Sequence, residues 1–200
     1  MKHALPILLL LSGAHAQETL YAPAPPAGSA FVRVVTVDAG RALTLDGRPF
    51  LGAAKARTVS AYQIVPQGAH TLRAGGASLT LNVQGGAYHT LALRGGVLST
   101  LEVEPPAGLT KARLTLYNLS DAPATLATAD GATPLLPGVP AGRQKSLSVN
   151  AVSAALGVFD GTRPITTFPA EALRAGASYS AFVFGRGAAR TAVWVQPSFK

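Results

Sequence analysis

The chain has 200 residues, with 17 Lys or Arg against 9 Asp or Glu, a formal charge of +8 and no cysteine. The missing cysteine excludes a disulfide framework, a Cys/His zinc site and a lipid-modified cysteine anchor. The basic excess suits an anionic partner, but the arginines are scattered without a run, which is also the pattern of a solubilising surface.

Met1-Lys2-His3 gives a short positive start, Leu5 to Leu11 an apolar run, and Ala14-His15-Ala16 small residues at −3 and −1. That is the layout of a secretory signal peptide over residues 1–16, cleaved before Gln17. The apolar run is too short for a permanent membrane helix, which needs roughly 20 residues, and no later stretch qualifies. The mature chain is expected to be exported, with no transmembrane segment. Nucleic acid is not expected as a partner, since aromatic-basic clusters are missing.

Residues 17–30 are an extended Pro-rich lead-in containing Tyr21. Phe31 to Val37 begins the first strand, because β-branched residues dominate and no helical period appears. Ala42 to Leu45 meets Asp46-Gly47, a hairpin signal, and Val59 to Val65 ends at Pro66-Gln67-Gly68. His70 to Arg73, Leu79 to Val83 and Tyr88 to Leu93 follow, separated by Gly75-Gly76 and Gly85-Gly86. Turn signals about 8 to 12 residues apart are the sequence form of an antiparallel sandwich.

Pro105-Pro106 and Gly108 break that rhythm and place a linker over residues 102–110. Beyond it, Arg113-Leu114-Thr115-Leu116 echoes Arg33-Val34-Val35, and Asp130-Gly131 echoes Asp46-Gly47. Val152 to Gly161 answers the His70 to Gly76 hairpin, and Ala175 to Phe184 answers Gly85 to Leu93. The expected fold is all-β: two tandem antiparallel β-sandwich domains, Ig-like or jelly-roll-like, from an internal duplication, over residues 31–101 and 111–200. Pro169 to Arg174 is the one stretch suited to a short helical turn.

The search for chemistry finds no catalytic motif, cofactor site or metal cluster. His70 and His89 lie inside predicted strands; either could form a dyad with Asp38 or Asp46, and the sequence leaves that open. Asn118-Leu119-Ser120 fits both a glycosylation acceptor and turn chemistry, and turn chemistry is the preferred reading. Tyr and Trp offer a large apolar face with a polar tip, so Tyr21, Tyr62, Tyr117 and Trp194 join Arg33 and Arg113 as candidate partner- or glycan-binding residues. Trp194, in Thr191 to Val195, is the leading candidate for an interface anchor.

One series of motifs carries a family resemblance. Leu20-Tyr21-x-Pro23 with Pro26-x-Gly28-Ser29-x-Phe31-Val32-Arg33-Val34 resembles the start of the mature proteins of the alginate O-acetylation family AlgF. In order come Pro66-Gln67-Gly68, Tyr88-x-Thr90-Leu91, Glu104-Pro105-Pro106, Lys111-Ala112-Arg113, Tyr117-Asn118-Leu119-Ser120-Asp121, Thr128-Ala129-Asp130-Gly131 and Val193-Trp194-Val195. The resemblance implies a periplasmic, non-catalytic adaptor for O-acetylation of an exported polysaccharide, alginate or similar, docking the acetyltransferase components that carry the chemistry. The first repeat also resembles, more weakly, a small bacterial cell-surface β domain. That supports a second reading, a cell-envelope module for an anionic glycan. A third is direct acetyl transfer through Ser with His70 or His89.

Overall fold

The computed structural model describes residues 25–101, 103–105 and 107–200. The signal peptide, most of the lead-in with Tyr21, and Glu102 and Pro106 of the linker lie outside the described residues.

The first strand, β1 (Ser29–Thr36), sets the rule for the rest. Ala30, Val32 and Val34 are buried on one face, and Arg33 and Val35 are equally buried on the other. Side chains alternate along a strand, so burial of both sets requires a layer of structure above and below.

The layer on one side comes from the first half of the chain. After β1 come β2 (Leu43–Leu45), β3 (Arg48–Leu51), β4 (Thr58–Val59), β5 (Gln63–Pro66), β6 (Gly68–Ala74), β7 (Ala77–Val83), β8 (Tyr88–Arg94) and β9 (Val97–Thr100). β1 pairs antiparallel with β4 and β5 along one edge and parallel with β8 along the other, and β9 follows β8. The facing sheet has the order β3-β2-β6-β7. Between them lie Val32, Val34, Leu91 and Leu93 against Leu43, Leu45, Leu72 and Leu81.

The second half contains β10 (Lys111–Asn118), β11 (Ala124–Thr128), β12 (Pro134–Val139), β13 (Gln144–Asn150), β14 (Ser153–Ala154), β15 (Leu156–Asp160), β16 (Arg163–Thr167), β17 (Glu171–Ala172), β18 (Ser178–Phe184) and β19 (Thr191–Val195). Its sheets run β13-β10-β18-β19 and β12-β11-β15-β16, the same order as in the first half once β14 and β17 are set aside. Here too the central pair, β10 with β18, is parallel. The stretch expected to turn as a helix is β17, paired antiparallel with β14, and Leu173 beside it joins the core.

The two halves pack back to back. Val35 and Ala92 of the first half meet Tyr117, Leu119, Phe182 and Phe184 of the second in one buried cluster. The result is four sheets deep, and both parallel pairs are in the middle, where strands are covered on both faces. The continuous apolar run Ala181-Phe182-Val183-Phe184 has this cause: all four residues are 0% exposed.

Asp46 and Gly47, with φ of 50° and 77°, form the tight β2–β3 turn that the Asp-Gly pair predicts. The C-terminal residues recross to the first half, where Tyr62 N–H donates to Ser198 and Lys200 N–H donates to Tyr62.

Gly185, just after β18, has φ of 90°, and a Cβ there would lie 2.4 Å from the Ala189 carbonyl oxygen. Gly185→Ala is expected to cost about 1–3 kcal/mol, read as a lowered urea midpoint. Gly176→Ala, at φ of 78° with open space around it, should cost less, about 1 kcal/mol.

Candidate functional site

Arg33 occupies the middle of the seam between the two inner sheets, and its side chain needs both halves. Its Nε donates to Thr90 Oγ1 at 3.0 Å within its own sheet, and its Nη2 donates to Ser180 Oγ at 2.8 Å across the seam. The guanidinium carbon lies 4.5 Å from the Tyr62 ring centre, 4.9 Å from Phe182 and 5.4 Å from Tyr117. Only 1% of Arg33 is exposed. Desolvating a cation costs several kcal/mol unless it is paired and hydrogen-bonded, and a ring face within about 6 Å adds attraction that strengthens out of water.

The acidic residue of the network sits on the linker. Glu104 is buried, and its backbone exchanges hydrogen bonds with Tyr88 at 2.9 and 3.0 Å. Its carboxylate accepts the Tyr117 hydroxyl, which lies 3.1 Å from Thr90 Oγ1. Arg33 and Glu104 are thus joined through Thr90 and Tyr117. Burial pushes the Tyr62 phenol up to about 12, against the opposing pull of Arg33. Burial likewise holds Tyr117 well above 10, with Arg33 opposing and Glu104 adding to the rise. Both phenols stay protonated and keep their donors.

Of the sequence candidates, Arg33, Tyr62 and Tyr117 are brought together here. Arg113 lies half-buried on β10 at the flank of the seam, lining a cleft of about 340 Å³ with Glu104, Gln144 and Lys145. Trp194 is elsewhere. It packs against Phe168 at 5.5 Å and Tyr179 at 5.8 Å on the second half's core, and its indole N–H donates to Glu171 at 2.5 Å. Glu104, Thr90, Ser180 and Phe182 were not legible as site residues; Glu104 and Thr90 read in sequence only as parts of a linker, a strand and the family motifs.

The histidines have structural surroundings. His70 Nδ1 lies 2.6 Å from Asp46 Oδ2, and its Nε2 lies 2.8 Å from the Pro66 carbonyl oxygen. Both partners are acceptors, an arrangement that favours the doubly protonated ring, which can donate from both nitrogens. Burial opposes that charge, but the bonds to Asp46 and Pro66 outweigh it and raise the His70 pKa above 6.5. The Thr71 backbone N–H, then His70, hold Asp46 below 3.8. The Asp46–His70 dyad exists, and both ring nitrogens already have protein partners. His89 is 5% exposed and burial lowers its pKa, so its ring is neutral at pH 7.

At one end of the seam Arg94 Nη2 donates to the Leu119 carbonyl at 2.6 Å, tying the halves again. Around it opens a cleft of about 330 Å³ lined by Arg57, Arg186, Ser120, Asp38 and Asp121.

A family model described as alginate O-acetyl transferase AlgF matches residues 7–180. The alginate biosynthesis protein AlgF of Pseudomonas syringae pv. tomato is 30% identical over 191 residues, covering 95% of this chain and 86% of that protein. The alginate biosynthesis protein AlgF of Azotobacter vinelandii is 32% identical over 183 residues, covering 90% and 84%. A solved structure of the C-terminal domain of AlgF from P. aeruginosa is 31% identical, covers 44% of this chain and 98% of that one, and has a TM-score of 0.41.

Replacing Arg33 by Leu leaves the buried Thr90 and Ser180 hydroxyls without its donors and removes the cation from three ring faces, and is expected to cost about 1–3 kcal/mol in denaturant unfolding. Tyr117→Phe, which strips one donor from Glu104, should cost about 1–3 kcal/mol, and the pair should be non-additive in a double-mutant cycle. His70→Gln tests the hairpin pair by pH. With a folded pKa raised above 6.5, the His70 contribution is complete below pH 6.5 and lost as pH rises through the folded value. The gap in urea midpoint between the protein and His70→Gln should therefore be larger at about pH 5.5 than at about pH 9. It should shrink again under strong acid as Asp46 protonates below 3.8.

Proposed function

The chain belongs to the AlgF family, and on that premise we propose that it is a non-catalytic accessory of polysaccharide O-acetylation that docks the proteins carrying the acetyl chemistry. The observation that carries this reading is the closed seam around Arg33. It ties two sandwiches into one body four sheets deep, a preformed platform that presents its outer faces and ends to partners. A pre-organised surface loses little entropy on binding, which is what an adaptor needs.

The groups able to do acyl chemistry are otherwise engaged. Both His70 nitrogens are held by partners in its hairpin, so it cannot act as general base without breaking one of those bonds. Ser180, Thr90 and Glu104 are 1 to 3% exposed inside the seam, out of a polymer's reach. This geometry disfavours direct transfer through Ser and His70.

Two further parts of the reading rest on pattern. The leader over residues 1–16 supports export to the periplasm, and among the described residues no helix is long and apolar enough to cross a membrane. The shared strand order of the halves supports two domains of common origin joined over residues 102–110. The relatives are named for alginate biosynthesis, and an acidic exopolysaccharide of that kind is the polymer we assign.

In cells lacking the gene, the His70→Gln/His89→Gln variant is expected to restore polymer acetylation fully, provided circular dichroism shows it folded. The purified mature protein should capture acetylation proteins encoded beside it. Loss of acetylation in the folded double variant, or capture of no such protein, overturns the reading.

A further inference from the structure

The cleft at the Arg94 end of the seam is one part of a longer groove. It shares Asp38 and Gly95 with a neighbouring cavity of about 280 Å³, which also reaches Arg41. That cavity shares Arg41, Ala74 and Gly96 with a third, of about 450 Å³. The three run from Arg186 on the second half, over the seam, to the β7 and β9 edges of the first. Resting on the accessory reading above, we propose that this groove docks an extended acidic segment of a partner protein, with Arg41, Arg57 and Arg186 receiving its carboxylates.

The charge argues for the sign of the ligand. All three arginines are exposed, and the ion pairs among the described residues, His70 with Asp46 and Arg190 with Asp160, involve none of them. Asp38 and Asp121 also line the groove, but each is turned to a backbone donor. Asp38 accepts Gly95 N–H at 2.8 Å, and Asp121 accepts Gly187 N–H at 3.2 and 3.3 Å. They keep their charge, but the groove lining carries Arg41, Arg57, Arg94 and Arg186 against these two carboxylates and so retains an excess of positive charge. Arg57 is fixed as well as charged: its φ is 62°, and its N–H donates to the Thr36 carbonyl at 2.7 Å. A guanidinium offers a planar fork that matches a carboxylate in two parallel bonds.

The lining argues for a polypeptide over a glycan. None of the residues lining the three cavities is aromatic, so a sugar ring finds no face to stack on. A polymer with a carboxylate on every unit would also meet Asp38 and Asp121, where like charges repel. A peptide places its acidic side chains selectively. Gly95 and Gly96, open enough that an added Cβ would touch nothing within 4 Å, leave their backbone accessible to another backbone.

The test uses the mature protein, a fluorescein-labelled peptide of alternating Asp and Ser, the same peptide with Asn for Asp, and an oligouronate of equal charge. The acidic peptide should bind, weaken as salt rises from about 50 to about 300 mM, and lose at least about tenfold in affinity to the R41E/R57E/R186E variant. The R41Q/R57Q/R186Q variant should show a smaller loss of the same sign and serves if the reversed-charge protein is misfolded by circular dichroism. Equal peptide affinity in protein and variants overturns the proposal, as does tighter, variant-sensitive binding of the oligouronate. Capture of the acetylation proteins encoded beside the gene separates the two levels. If the folded variant captures them as well as the parent does, the groove is not their site and the accessory reading stands. If the parent captures none, the reading falls and this inference with it.

Discussion

A single arginine side chain sets what the two halves of this protein can do relative to each other. Arg33 is buried on the outer face of the first half's inner sheet, where a free sandwich would present it to water. It is tolerable there only because Ser180, Phe182 and Tyr117 of the second half complete its hydrogen bonds and ring contacts. Glu104 supplies negative charge from the linker through Tyr117. Apolar packing of Val35, Ala92, Phe182 and Phe184 fills the seam, but it is non-directional. The polar network at its centre has fixed donors and acceptors, so it selects one register of sheet on sheet.

The same seam explains the topology. Parallel strands in small sheets are exposed to disruption unless both faces are covered. Both parallel pairs, β1 with β8 and β10 with β18, lie where the other half supplies the second cover. At the periphery the chain guards its edges differently. β3, β12 and β16 carry Pro49, Pro134, Pro137 and Pro164 together with register shifts, which discourage pairing with another chain. β5 is closed by the returning C-terminal residues around Phe199. The uncharged edges β7 and β9 run beside each other across the first half's two sheets, and in the second half β13, which carries Lys145, runs beside β12 and β19 beside β16.

The consequence for function is a division of labour. Residues that look reactive in isolation, including His70, Ser180, Tyr117 and Glu104, spend their hydrogen bonds holding hairpin and seam. The unpaired charge lies on the rim, where Arg57 and Arg186 come from different halves of the chain. A surface assembled from both halves exists only while the seam is closed, so the exposed groove depends on the buried Arg33 network.

The sequence by itself determined the all-β character, the turn sites and the family. Asp46-Gly47 dictates its turn through local backbone preference, alternation marks the half-buried strands, and the ordered motifs from Phe31 to Trp194 carry the family likeness. It also singled out Arg33, Tyr62 and Tyr117, though as surface contacts rather than as one buried cluster. Tertiary structure alone decided three things: that β1 pairs parallel with β8, that Glu104 is a buried partner, and that Trp194 serves the second half's core. The reason is range. Hydrophobic period and turn chemistry act over a few residues, whereas Arg33 meets Ser180 across 147 positions of chain, and no local pattern encodes which distant face will cover it.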